Sequence, residues 1–284
     1  MTIKIVTDTG ADLPADLAIK HNISVVPVNV MFGDDVYKDG ISITKEEFNN
    51  KMFVEGLIPK TSQPSPSDFL TVYKDLTDKG DSVLSIHLSS KLSGTYNSAL
   101  QAAESMDLGT GQKIQIVDSL KASIPIALGV LATAEHLQNN PNISIGELAQ
   151  YADDALKRST VYVALNTLEY LQRGGRIGKA SALLGTMLRI KPILSLEGGE
   201  VVPVAKCRSL SQSLAQISDL IASQGELSSA ALIYNTDIET KDSLKTQLLA
   251  GHPGLNLIET EFGPSIGSYV GPNAIGVATI PKGS

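Results

Sequence analysis

The chain has 284 residues, 42% hydrophobic and 19% charged, with 24 Gly and 13 Pro, which excludes the disordered and fibrous classes and leaves one large or two medium domains. Its 23 Lys and Arg against 30 Asp and Glu give a formal charge of −7, so no basic footprint for nucleic acid is present and no nucleic-acid partner is expected. Cys207 is the single cysteine, which rules out an intramolecular disulfide, argues against a thiolate zinc site and fits a reducing, cytoplasmic setting.

The first residues run straight into strand-like sequence, without the charged and apolar regions of a signal peptide. Ile3 to Thr7 reads as a strand, and Asp8 to Pro14 as the turn into a helix. Ser24 to Phe32 is a second extended run, and the turns at Gly33–Asp35 and Lys38–Gly40 suggest a hairpin excursion. Thr44 and Glu47 have capping-box spacing, so a helix starts there. Ser65 with Pro66 and Asp68 marks another start, since proline at the first helical position forfeits only an orphan N–H. Strands at Val83–Leu88 and Ile114–Val117 then alternate with helices beginning near Gly94 and Ser123. The longest mostly apolar stretch, Ile124 to Ala134, is far short of the ~20 residues of a membrane span, so the protein is expected to be soluble. This alternation predicts an N-terminal α/β domain over residues 1–159, with a mostly parallel sheet covered by helices.

Beyond Ser159 the pattern changes. Thr160 to Leu165 reads as a strand, Ser181 to Leu188 as a short helix, and Pro192 to Ala205 as two strands about the turn Glu197–Glu200. Helical periodicity covers Ser209–Ser223 and Glu239–Ala250, and Ala230–Tyr234, Leu255–Thr260 and Ala274–Ile280 read as strands. Local strand pairing predicts a C-terminal α+β domain over 160–284 with a largely antiparallel sheet. With no proline-rich linker between them, the two domains are expected to pack together around Ser159.

The chain has no phosphate loop, no Gly-x-Gly-x-x-Gly after a strand and no His-x-x-x-His pair. His21, His87, His136 and His252 are scattered without ligand spacing and read as structural or surface residues. Neither a cofactor nor a metal is expected.

Two hydroxyl-rich loops stand out in the first half. Lys60 to Pro66 (KTSQPSP) precedes a helix, placing Thr61 and Ser62 near its N-terminus. Ser89 to Tyr96 (SSKLSGTY) follows a strand and opens the next helix, offering Ser93, Gly94 and Thr95. Such turns line the crevice at the carboxyl edge of an open α/β sheet, and helix N-termini there bind anions through orphan N–H groups. Helix capping explains either loop alone; both together, with Asp8 and Thr9 after the first strand, point to an anion site. Leu168 to Ile177 (LEYLQRGGRI) sets paired glycines between Arg173 and Arg176, whose forked donors suit carboxylates and phosphates or serve as solvated turn charges. Gly263 to Gly276 (GPSIGSYVGPNAIG) has four glycines and two prolines. It is expected to form a convoluted loop in which Tyr269 is either a phenolic donor or a buried structural residue.

Taken with Thr7 to Leu13 (TDTGADL), Leu92 to Ala99 (LSGTYNSA), and Leu184–Gly185 followed by Ile190 to Ile193 (IKPI), these segments resemble the DegV family, which includes the fatty-acid-binding subunits of bacterial fatty acid kinase. They occur in order across nearly the whole chain. The resemblance implies a long-chain fatty acid held between the two domains, its carboxylate meeting Thr61 and Ser93 with the Arg173/Arg176 turn and the Gly-Pro loop nearby. The family often places a histidine where this chain has Tyr269, which donates a hydrogen bond but brings no cation near neutral pH. A sixteen-carbon tail buries about fourteen methylenes at ~0.8 kcal/mol each, roughly 11 kcal/mol before ordering costs. On this reading the tail dominates affinity, while the head group, expensive to bury unpaired, sets orientation.

The leading expectation is a non-catalytic carrier that presents the carboxylate to a separate ATP-dependent kinase, receives an acyl phosphate and delivers it to phospholipid synthesis, with an acyltransferase or a membrane surface as further partners. Thr61 and Ser93 would position the ligand, since neither has an evident histidine base. The alternatives are an autonomous serine-dependent lipid hydrolase or phosphotransferase with Ser93 as nucleophile and helix-end amides holding an oxyanion, and a regulatory lipid sensor.

Overall fold

The computed structural model describes residues 2–235 and 237–283, without the side chains of residues 185–189. In the first half, strands β1 (Ile3–Asp8), β2 (Ser24–Val26), β3 (Asn29–Phe32), β4 (Asp35–Lys38), β5 (Lys60–Ser62), β6 (Ser82–His87) and β7 (Ile114–Asp118) divide between two sheets. A parallel sheet has the order β2-β1-β6-β7, and a small antiparallel sheet has the order β4-β3-β5. The extended run Ser24–Phe32 splits because Pro27 cannot donate to a ladder. Ser24–Val26 then joins the parallel sheet, while Asn29–Phe32 turns out into the hairpin.

Helices α1 (Ala15–Lys20), α2 (Lys45–Asn49), α3 (Pro66–Thr77), α4 (Thr95–Glu104), α5 (Ile124–Asn139), α6 (Ile145–Arg158) and α7 (Glu169–Gly174) follow in order. The capping boxes at Thr44 and Ser65 are both formed. Helix α6, absent from the sequence reading, starts at a third, Ser144 with Glu147. Alternation along the central strands sends Val6 and Val83 toward α3 and α4, and Ile5, Leu84 and Ile86 toward α5 and α6. The sheet is therefore sandwiched between helices.

The second half holds β8 (Thr160–Ala164), β9 (Lys191–Glu197), β10 (Glu200–Cys207), β11 (Leu227–Tyr234), β12 (Leu257–Glu261) and β13 (Ile275–Pro281) in one sheet of order β10-β9-β8-β13-β11-β12. All its pairs are antiparallel except β11 with β12. The fold is α/β, with a helix-covered, parallel-stranded N-terminal part and an α+β C-terminal part. Pairing is local for β8–β9, β9–β10 and β11–β12, as expected, but not throughout: β13 inserts between β8 and β11, carrying the last strand to the centre. Helices α8 (Leu210–Ala222) and α9 (Ile238–Gly251) cover one face through Leu214, Ile217, Leu244 and Leu248. On the other face lie α5, α7 and α10 (Pro264–Val270).

Two more expectations are corrected. The helix expected at Ser181–Leu188 is a 3₁₀ helix from Gly178 to Arg189, and the Gly263–Gly276 segment carries α10, with Pro264 at its first position. Helix α5 serves both sheets: Ile124, Ala127 and Leu128 pack toward the antiparallel one, and Ile126, Val130 and Ala134 toward the parallel one. That accounts for its apolar circumference.

Candidate functional site

A cavity opens between the two sheets, with about 130 Å³ of room for the centres of water-sized molecules. Its floor is a face of the antiparallel sheet. Val161, Val163 and Leu165 point the same way because side chains alternate along a strand, and Leu194 and Leu196 of β9 join them. Helix α10 contributes Ser265, Ile266, Tyr269 and Val270 to the opposite wall. From the parallel sheet come Leu88, Leu92 and Ser93, which follow β6, and Ser123, which precedes α5. The order β2-β1-β6-β7 reverses direction between β1 and β6, so these loops leave the carboxyl edge at the switch point where open α/β sheets bind ligands.

Of the residues singled out in the sequence, Thr61, Ser62, Ser93, Arg176 and Tyr269 share this lining. Thr61 Oγ1 and the Tyr269 hydroxyl are 2.6 Å apart. The Arg176 guanidinium carbon lies 5.4 Å from the centre of the Tyr269 ring; its Nε donates to the Leu92 carbonyl at 3.2 Å and its Nη1 to that of Gly174 at 2.8 Å. The Nη2 group has no protein hydrogen bond among the described residues. Thr61 is not at a helix end, as the sequence suggested: it sits in β5 opposite Val30, and Ser65 is the residue that caps α3. Ser93 does stand at a helix start. Its hydroxyl accepts from the Thr95 N–H at 3.3 Å and bonds the Thr95 hydroxyl at 2.9 Å.

The remaining candidates lie behind the lining or away from it. Thr95 is buried behind Ser93. Gly94 leaves space for Gln63, whose side chain would come within 3.0 Å of a Cβ there and which itself lines the cavity. Arg173 takes no part in the lining; it is half-exposed and paired with Glu169 one turn back on α7. The paired glycines have distinct tasks. Gly175 closes α7 in the left-handed region at φ 69°, whereas a Cβ on Gly174 would lie 2.4 Å from the Tyr269 ring.

Sequence reasoning missed a pair of buried carboxylates beside the cavity. Asp12 accepts from the Gly263 N–H at 2.8 Å and the Ser123 hydroxyl at 2.5 Å, and Asp39 accepts from the Ser265 N–H at 3.0 Å. Burial pushes the Asp12 carboxyl up to about 7, against the lowering effect of its hydrogen bonds to Ser123 and Gly263. Burial raises Asp39 as well. Asp12 fell within the Thr7–Leu13 segment that carried the resemblance but was given no role there, and Asp39 was only an Asp in a turn, which fits any surface loop.

Ser93 has no histidine among its hydrogen-bond partners. The buried His87 is committed elsewhere: Nδ1 lies 2.8 Å from Asp8 Oδ2 and Nε2 lies 2.6 Å from Ser85 Oγ, which also accepts from the Tyr73 hydroxyl at 2.8 Å. This Asp-His-Ser order resembles a hydrolytic triad in connectivity alone, since Asp8, His87 and Ser85 are each 0% exposed. No group of three or more His, Cys, Asp or Glu that could hold a metal occurs among the described residues. No helix there is long and apolar enough to cross a membrane.

A family model described as "Uncharacterised protein, DegV family" matches residues 2–282. Protein DegV of Bacillus subtilis strain 168 is 30% identical over 280 residues, covering 98% of each chain. Among solved structures, a DegV family protein from Thermus thermophilus described for its fatty acid binding superposes with a TM-score of 0.91 at 33% identity, covering 99% of this chain and 100% of that one. The crystal structure of DegV from Bacillus subtilis, described as a fatty acid binding protein, gives a TM-score of 0.90 at 30% identity with the same coverage.

Proposed function

Because this chain belongs to the DegV family, we propose that it binds a long-chain fatty acid in the cavity between its sheets and presents the carboxylate to a separate ATP-dependent kinase. The observation that carries the reading is the junction of Thr61, Tyr269 and Arg176 in an otherwise largely apolar lining. Such a lining takes up methylenes with no polar cost. A carboxylate taken from water needs donors, and the Thr61, Ser93 and Tyr269 hydroxyls with the Nη2 of Arg176 supply them. In this reading Gly94 and Thr95 shape the Ser93 turn, and Arg173 belongs to the outer surface from which a partner approaches.

The domains in this proposal are residues 1–159 and 160–284, with the ligand between them. Ser93 is a positioning donor rather than a nucleophile, since His87 is sequestered by Asp8 and Ser85. The kinase supplies ATP and magnesium, the acyl phosphate returns to this protein in the cytoplasm, and an acyltransferase or membrane surface receives it for phospholipid synthesis. Native mass spectrometry of the purified protein tests the first step: a co-purified C14–C18 acid is expected, and a ligand-free chain that also ignores added oleate overturns the reading. Incubation with a fatty acid kinase and ATP tests the second, with acyl phosphate as the expected product.

A further inference from the structure

We propose that Asp12 and Asp39 are positioning residues for the head-group end of the cavity, holding the first turn of α10 so that Tyr269 in its last turn meets Thr61. The inference rests on the fatty-acid reading and adds residues that lie outside the lining.

A helix ordinarily satisfies its first N–H groups with a side chain from its own N-cap residue. Helix α10 cannot, because its N-cap is Gly263 and no side-chain cap forms there. The acceptors come instead from residues far away in the chain. Asp12, which follows β1, takes the Gly263 N–H, and Asp39, which follows β4, takes the Ser265 N–H, across sequence separations of 251 and 226 residues. Both carboxylates are nearly fully buried, a costly placement that an exposed cap would avoid. Asp12 also accepts from Ser123, so a single carboxyl joins the β1 turn, the start of α5 and α10. Five residues past Pro264, Tyr269 reaches Thr61 on β5, and its ring rests against Gly174. A seven-residue helix pinned at its first turn transmits that register to its last. Without the carboxylates, the Ser265 and Gly263 N–H groups would be buried without acceptors, and the first turn would shift to find them.

The test compares hexadecanoic acid with hexadecanol, which share a tail and differ in the head group, on Asp39→Ala and Asp39→Asn, each alone and combined with Tyr269→Phe. An asparagine oxygen still accepts from the Ser265 N–H; alanine cannot. Asp39→Ala should weaken the acid by about tenfold and the alcohol by less than about threefold, with Asp39→Asn near wild type. In the Tyr269→Phe background Asp39→Ala should cost little more, because coupled residues are not additive. Equal losses for acid and alcohol, an Asn variant as impaired as the Ala variant, or fully multiplicative effects would overturn the proposal while leaving the fatty-acid reading intact. Failure of the wild type to bind the acid would instead remove that reading and this inference with it. If Asp39→Ala does not fold, Asp39→Ser, with its shorter acceptor, takes its place in the same comparison.

Discussion

Thr61 and Tyr269 are separated by 208 positions, yet their hydroxyl oxygens stand 2.6 Å apart in the lining of the cavity. One lies on a three-residue strand of the small antiparallel sheet and the other on a helix laid over the large sheet. Their contact ties the two parts of the chain together.

Thr61→Ala combined with Ser93→Ala should lower fatty-acid retention and reduce acyl-phosphate formation by a kinase more severely. On the proposed reading each substitution removes a charge-assisted hydrogen bond to the carboxylate, worth ~1.5–3 kcal/mol. Quantifying co-purified lipid and product checks this, and unchanged yields of both would contradict the assignment.

Gly174→Ala should weaken ligand binding more than it weakens the fold. The new methyl would stand 2.4 Å from the Tyr269 ring, and overpacking of this kind costs typically ~1–3 kcal/mol. Relief requires the ring or the Gly174 backbone to shift, which disturbs the Tyr269 contact with Thr61. Equilibrium binding of oleate, set beside urea denaturation of the ligand-free variant, separates the two effects.

Asp12→Asn should stabilise the protein at alkaline pH. Burial raises this carboxyl from an ordinary value of 3.8 to about 7, so the folded state binds more protons than the unfolded state between those values. Its favourable contribution is present below about pH 4 and is lost as pH rises through 7. An asparagine carries no charge to desolvate, keeps an acceptor for Gly263 and donates to Ser123. At pH 8 the variant should gain of the order of 2–4 kcal/mol over wild type, and near pH 4 almost nothing. Denaturation curves at the two pH values decide it, and a variant less stable at both would refute it.

His87→Ala should lower stability without exposing a latent catalytic activity. It leaves the Ser85 hydroxyl and the Asp8 carboxylate short of a buried partner, at ~1–3 kcal/mol for each stranded group, with a cavity term added. Thermal denaturation measures the loss. Esterase turnover by the wild-type chain that disappears in the variant would reverse this structural assignment.

Ser123→Gly should be tolerated better than Ser123→Ala. Ser123 has φ 66° and ψ −151°, a region that costs a residue bearing a Cβ about 1–3 kcal/mol. Both substitutions lose the bond to Asp12, but only glycine relieves the backbone. Paired melting temperatures provide the check.

Local chemistry was legible in the sequence alone. Hydroxyl caps with an acid three residues on marked the starts of α2 and α3, and the Glu197–Glu200 turn marked the β9–β10 hairpin, since each depends on groups a few bonds apart. Thr61, Ser93 and Arg176 stood out because hydroxyls and a guanidinium beside glycines suit an anion wherever they fall. Tertiary structure alone decided which of these meet. Thr61 proved to be a strand residue and Arg173 an outward partner of Glu169. The last strand reached the centre of its sheet, and two aspartates more than two hundred residues from α10 became its caps. Periodicity and capping read interactions between near neighbours, whereas these contacts arise when separate elements bury apolar faces together and leave backbone donors that only a distant residue can reach.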